Sequence, residues 1–141
     1  MQITQLDAQT YVGPQISIAN LNDLKRLNVK TVVVARPEGE TADQTAISEV
    51  RDAAYALGIT IHQIPVVPEN IADADVRAFR AIASEADHPV FVYCRSGMRA
   101  TSLWALSAAE QGQSPDEILC MAKAAGFDLN PLLARLSTSA A

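Results

Sequence analysis

The sequence predicts an α/β fold, a mostly parallel central sheet flanked by helices on both faces. Two observations carry that expectation. "KTVVVA" and "PVFVYC" are short continuous apolar runs, the pattern of strands buried on both faces of a parallel sheet. Helical patterns alternate with strand patterns along the chain, which calls for crossover connections that lay helices over the sheet. A third feature locates the business end: "CRSGMR" follows "PVFVYC" directly, at the carboxyl end of a strand, where open α/β sheets bind ligands.

In chain order, "QITQLD" and "TYVG" read as two short strands. "SIANLNDLKRLNV" places Ile18, Leu21, Leu24 and Leu27 at helical spacing behind a Ser17 cap. "KTVVVA" is a strand that stops at the Pro and Gly of "RPEGE". "TADQTAISEVRDAAYALG" reads as a helix closed by Gly58, and "ITIHQIPV" as a strand ended by Pro65. "PENIADADVRAFRAIASEA" runs through a loop into a helix with Val76, Phe79, Ile82 and Ala83 on one face. "PVFVYC" is the third apolar strand, and "ATSLWALSAAEQG" the helix after it. "SPDEILCMAKAAG" has Ser114 as its cap and Pro115 in its first turn. "NPLLARL" reads as a last short helix, and "STSAA" as a frayed tail.

Composition narrows the function classes. With 141 residues, 49% of them apolar and 19% charged, residues 1–141 read as one globular domain. No apolar run is long enough for a membrane span, and "MQITQLDAQTYVG" lacks the basic and apolar parts of a secretory signal. The cytoplasm is the expected compartment. A net charge of -5 argues against nucleic acid as a partner. It leaves room for a small anion, because Val92 to Ser102 contains two arginines and no acid. The two cysteines, Cys94 and Cys120, make a poor disulfide framework and have no zinc-site spacing, so no metal or organic cofactor is implied.

"CRSGMR" has the makings of an anion cradle. The backbone N–H groups of such a turn converge, with the positive end of a helix behind them. Gly97 allows the conformation required, and Cys94 would lie over the centre. Cations and N–H donors there favour the thiolate of Cys94, the form that attacks. Arg99 supplies a planar charge for an anionic oxygen or sulfur. Ser96 and Met98 would contribute mainly backbone N–H groups, with the Met98 side chain as an apolar rim. Arg95 points into the site or out to solvent. The plain alternative for Cys94 is a core thiol, against which stand the Gly and two Arg at fixed offsets.

"CRSGMRATSLWAL", with "RPEGE" and "IPV" upstream in the same order, resembles the beta-lactamase-hydrolase-like, phosphatase-like domain family from "ITQLD" to "NPLLARL". The resemblance implies a fold like that of dual-specificity protein phosphatases with a loop similar to that of rhodanese-type sulfurtransferases. It therefore leaves the reaction open. It also suggests, as a partner, a metallo-beta-lactamase-like persulfide-oxidising enzyme.

Four departures from the phosphatase pattern bear on the choice. Four residues separate Cys94 from Arg99, where cysteine phosphatases have five. Tyr93 stands in place of the usual His, and Ala100 in place of the Ser or Thr after the arginine, with Thr101 one place further on. The stretch "VVPEN", where related phosphatases keep an acidic Asp, offers only Glu69 as a proton donor. Asp73 and Asp75 read as helix-start acids instead. Sulfur transfer needs no such acid. The leading expectation is thus a rhodanese-like sulfurtransferase acting on thiosulfate or a persulfide through Cys94 and Arg99. Phosphoester hydrolysis through a phosphocysteine is the first alternative, and a non-catalytic oxyanion-binding or thiol-sensing module the second.

Several residues carry two readings each. Arg36 would hold the anionic tail of the substrate, or pair with Glu38 or Glu40 on a surface loop. His62 reads as a core or edge histidine before a catalytic one, His88 as a loop residue and Trp104 as a core anchor. Cys120 reads as part of a helical stripe with Ile118, Met121 and Ala124 before a resolving thiol for Cys94.

Overall fold

A computed structural model describes residues 3–67 and 70–140. The sheet has five strands in the order β1-β2-β5-β3-β4. They are β1 (Thr4–Asp7), β2 (Thr10–Gly13), β3 (Thr31–Val34), β4 (Thr60–Gln63) and β5 (Val90–Tyr93). Only β1 runs antiparallel to its neighbour; β2, β5, β3 and β4 are parallel. The two apolar runs thus occupy adjacent inner positions, and every residue of β5 is buried. The expected α/β architecture is the one observed.

Each face of the sheet has its own core. On one, Leu21 and Leu24 of α1 (Leu21–Arg26) and Ile47, Val50 and Ala54 of α2 (Ile47–Ala56) pack with Val32, Val34, Phe91 and Tyr93. On the other lie α3 (Asp73–Glu85), α4 (Met98–Glu110), α5 (Pro115–Ala124) and α6 (Leu133–Ala140). Strand alternation sends Phe91 and Tyr93 to one core, Val90 and Val92 to the other. Helix α4 is buried from Arg99 to Ala109 because the sheet and three helices surround it. Its Ala100, Ala105, Ala108 and Ala109 suit such close packing. Trp104 anchors it as expected, buried, with Nε1 donating to Asp7 Oδ2 at 2.8 Å.

The helix boundaries differ from the sequence reading in three places. Residues 18–20 form a 3-10 turn ahead of α1, and Ser17 donates to Asn20 Oδ1 instead of capping a backbone N–H. Residues 41–46 are not helical. Their side chains hold them in a loop: Gln44 Nε2 donates to Pro37 O, Gln44 Oε1 accepts from Glu40 N, and Glu38 Oε2 takes the N–H of Ile47. Residues 137–140 of the expected frayed tail are instead part of α6, which packs on α4 and α5, and Ala141 lies outside the described residues. Gly58, in the left-handed region, closes α2 as expected, and Ser114 caps α5 by accepting from Glu117 N.

Tyr93, where phosphatases of this pattern carry His, stacks on Phe91 with ring centroids 5.9 Å apart. Its hydroxyl is buried without a hydrogen-bond partner among the described residues. Burial pushes its pKa up to about 12, opposed by the nearby Gln15 and Arg36. Such an orphaned hydroxyl costs free energy that an apolar ring would not. Tyr93→Phe is expected to raise unfolding stability by about 1 kcal/mol, measured by urea denaturation; a loss of that size would show that the hydroxyl holds a bond in solution.

Candidate active site

Cys94 follows the last residue of β5, in the middle of the sheet. Its N–H donates to Gly13 O of β2 at 3.4 Å, while Tyr93 O accepts from Ala35 N just past β3 at 2.7 Å. The thiol therefore sits at the carboxyl end of three parallel strands. It is buried, at 1% exposure. The loop then turns sharply. Gly97 adopts φ 99°, a left-handed conformation, as the residue before α4. That turn aims Gly97 N–H at Cys94 Sγ, 3.0 Å away. A Cβ at Gly97 would lie 2.9 Å from Cζ of Phe127, so a side chain there would have to push that ring aside.

The remaining loop residues divide between site and surface. Arg95 is exposed; its carbonyl accepts from Gln15 N at 3.3 Å and ties the loop to the segment after β2. Ser96 is exposed, and its Oγ accepts from Met98 N at 3.4 Å. The Met98 side chain is exposed as well. Thr101 does not reach forward into the place left by Ala100: its hydroxyl donates back to Gly97 O at 2.8 Å and braces the turn.

Arg99, in the first turn of α4, is held on one side. Nη1 donates to Glu40 Oε2 at 2.9 Å and to Val66 O at 2.8 Å, and Nη2 to Glu40 Oε1 at 2.7 Å. Glu40 in turn accepts from Arg36 Nε at 3.1 Å. The other nitrogens of Arg36 donate to Gln15 Oε1 and Thr41 Oγ1. Arg36 is thus neither a free hand for the substrate tail nor a surface loop residue. It is 1% exposed, its nitrogens are engaged, and of its two expected partners Glu40 is the one it meets. Glu38 is instead the acceptor for the start of α2.

The hydrogen bond from Arg99 holds the Glu40 carboxyl below its ordinary value of 4.5, against some desolvation and with the charges of Arg99 and Arg36 helping. Glu40 is therefore a carboxylate, not a proton donor, at neutral pH. Glu69 lies outside the described residues. Asp73 and Asp75 are in the first turn of α3, where Asp75 Oδ2 accepts from Ala72 N, as helix-start acids do.

The other candidates lie elsewhere. His62 is on the edge strand β4, and His88 Nδ1 meets Asn28 Nδ2 at 3.2 Å. Cys120 is exposed: Ile118 and Ala122 make the buried stripe of α5, and Cys120 faces away from it. Gln15 and Phe127 were not legible as site neighbours, since both reach the loop from distant segments. Glu40 was legible only as a surface partner of Arg36.

Comparison with known proteins gives the family and the fold. Residues 3–111 match the phosphatase-like domain of beta-lactamase hydrolase-like protein. The chain belongs to that family. The beta-lactamase hydrolase-like protein of Agrobacterium fabrum is 34% identical over 130 residues, covering 92% of this chain and 30% of the relative. The chain thus spans under a third of the length of such curated relatives. A candidate phosphatase from Neisseria meningitidis Z2491 superposes with a TM-score of 0.89 at 34% identity, over 99% of both chains. PTPMT1 in complex with PI(5)P superposes at 0.79 with 15% identity, over 98% of this chain and 94% of that one, a likeness of fold. The fold is that of the dual-specificity-type phosphatases.

Glu40 is the counter-ion of two buried guanidiniums, so Glu40→Gln is expected to cost about 2 kcal/mol at pH 7. Because the folded-state pKa of Glu40 lies below the ordinary value, its contribution is present in full above pH 4.5 and fades as pH falls through the folded value. Urea denaturation of both proteins at neutral pH and at about pH 3 should show the gap closing in acid; a constant gap would contradict this linkage.

Proposed function

We propose that this chain is a cysteine-dependent enzyme that takes a group from a small anionic substrate onto Cys94. One observation carries the reading. Cys94 Sγ, at the carboxyl end of the central strand, receives the Gly97 N–H at 3.0 Å, with Arg99 in the next turn. Cys94 is the nucleophile, while Arg99 and the loop N–H groups steady the anion. Gly97 makes the turn, and Ser96 and Met98 contribute through their backbone. Arg95, being exposed, meets only the outer part of a substrate.

Phosphoester hydrolysis is the first reading, because the family and the neighbouring folds are phosphatase-like. Cys94 Sγ attacks phosphorus, an S–P bond forms, and the ester P–O bond breaks with its electrons leaving on oxygen. Water then attacks the phosphocysteine, the S–P bond breaks, and inorganic phosphate leaves. Glu40 is held as a carboxylate, and the donor to the leaving oxygen in this reading is Glu69, with solvent as the alternative. Aryl phosphates, which leave without much help, are the expected substrates.

The sulfurtransferase expected from sequence becomes the second reading, since none of the relatives reported above is described as one. It is retained for one specific reason, the four residues between Cys94 and Arg99. Here Sγ attacks a sulfane sulfur and sulfite leaves with the bonding pair. The resulting persulfide passes its outer sulfur to a thiol or to cyanide. Work in the cytoplasm as one domain, and a persulfide-oxidising partner under this second reading, belong to the same proposal. No helix among the described residues is long and apolar enough to cross a membrane.

Hydrolysis of an aryl phosphate, measured beside thiocyanate formation from thiosulfate and cyanide, decides between the two. Phosphate release that vanishes in Cys94→Ser supports the first reading, and Cys94-dependent thiocyanate without phosphate supports the second. Silence in both, in a folded protein, removes both and leaves oxyanion binding. In an active phosphatase, Glu69→Gln should lower turnover of alkyl phosphates more than of aryl phosphates; equal rates would take the acid role away from Glu69.

A further inference from the structure

A cavity of about 490 Å³ opens between the β1–β2 turn, α3 and the later turns of α4. Thr10, on its lining, pairs with Val90 at the start of β5, so the cavity lies at the amino end of the strand that ends on Cys94. The chemistry at Cys94 makes no use of it. Its volume falls in the range of small-molecule sites, roughly 300–1,000 Å³.

The lining carries polar groups that the fold leaves unanswered. Strand alternation puts Thr10 on the same face as Val12, toward α4. Thr10 is 6% exposed, and its hydroxyl has no hydrogen-bond partner among the described residues. Such a buried hydroxyl costs free energy unless something in the cavity meets it. Asp7 Oδ2 accepts from Trp104 Nε1 at 2.8 Å and Oδ1 from Gln9 N at 2.9 Å. Both donors are neutral, and among the described residues no cation pairs with this carboxylate. Arg80 of α3 brings the opposite charge to the same space, and its ion-pair partner Glu110 stays 3.7 Å from Nη1, beyond a hydrogen bond. Phe79, Ala83 and Ala108 add apolar surface.

A carboxylate and a guanidinium from different elements select by charge. A simple anion would gain Arg80 but be repelled by Asp7, and a simple amine the reverse. A zwitterion answers both. Its ammonium brings donors for Asp7 and Thr10, and its carboxylate matches the guanidinium fork. We propose that this cavity binds a free α-amino acid, with the ammonium on Asp7 and Thr10, the carboxylate on Arg80 and the tail on the apolar surface. The proposal rests on neither reading of the reaction at Cys94.

Trp104 is the only tryptophan in the sequence, and its indole N–H is bonded to Asp7, so its fluorescence reports on this cavity. L-leucine and L-glutamine share the zwitterion and differ in the tail; isoamylamine and 4-methylpentanoate each keep one of its charges. At least one amino acid should change the emission saturably and raise the melting temperature, and each half-ligand should bind about tenfold more weakly. Arg80→Gln should weaken the amino acid by about tenfold and leave isoamylamine as it was. Asp7→Asn keeps an acceptor for Trp104 Nε1 and should weaken the amino acid and isoamylamine alike. Should that variant not fold, Arg80→Gln decides, because Arg80 is half-exposed.

Three results overturn the proposal: neither amino acid moves the emission or the melting temperature, a half-ligand binds as tightly as the whole, or Arg80→Gln leaves the amino acid unaffected. Turnover of aryl phosphate or thiosulfate, present or absent, changes none of these readings.

Discussion

The site is organised by a cation that cannot stay alone. Arg36 leaves the end of β3 and is buried to 1% exposure, where an unpaired guanidinium would cost several kcal/mol. Glu40, four residues on, answers it, and so do Gln15 and Thr41. The 36–44 loop curls back to make this possible, and its side-chain bonds keep residues 41–46 out of the helix that follows. The same carboxylate then meets Arg99 from another element. One buried charge thus ties together the ends of β3 and β2, the 36–44 loop and the start of α4.

Loop length is the second constraint. Four residues must carry the chain from the end of β5 into the first turn of α4. They do so with a left-handed Gly97, whose carbonyl takes both the N–H and the hydroxyl of Thr101. The Phe127 ring, from beyond α5, takes the space that a Cβ at Gly97 would enter. The turn is thus braced from within by Thr101 and from without by Phe127. Its rigidity fixes Gly97 N–H on the sulfur and costs little reorganisation when charge develops there.

What was legible in the sequence follows from range. The apolar runs of β3 and β5 must be covered on both faces, so "KTVVVA" and "PVFVYC" identify themselves. Gly58 and Ser114 act within a turn of their own helices and were equally plain. The Cys94 loop was readable because its parts are consecutive. Contacts spanning tens of residues were not. Nothing local in "RPEGE" tells that Arg36 is buried, that Glu38 and Glu40 part company, or that Glu40 reaches Arg99. Gln15, Phe127 and the outward turn of Cys120 likewise depend on how distant elements pack.

The balance between phosphate and sulfur turns on how much charge the cradle can meet. A transferring phosphoryl group spreads charge over three oxygens, each of which needs donors. Here, among the described residues, Arg99 keeps its Nε–H and one Nη2–H unclaimed, beside the backbone N–H groups of the loop. Gly97 N–H is already directed at the sulfur, and Met98 N is 3.4 Å from Ser96 Oγ. A persulfide places its charge on one outer sulfur and asks for less. The family and fold argue for phosphate, while the four residues between Cys94 and Arg99 argue for the smaller anion. Glu40 takes two of the five Arg99 donors and Val66 O a third, so the ion pair limits how that guanidinium can meet either anion.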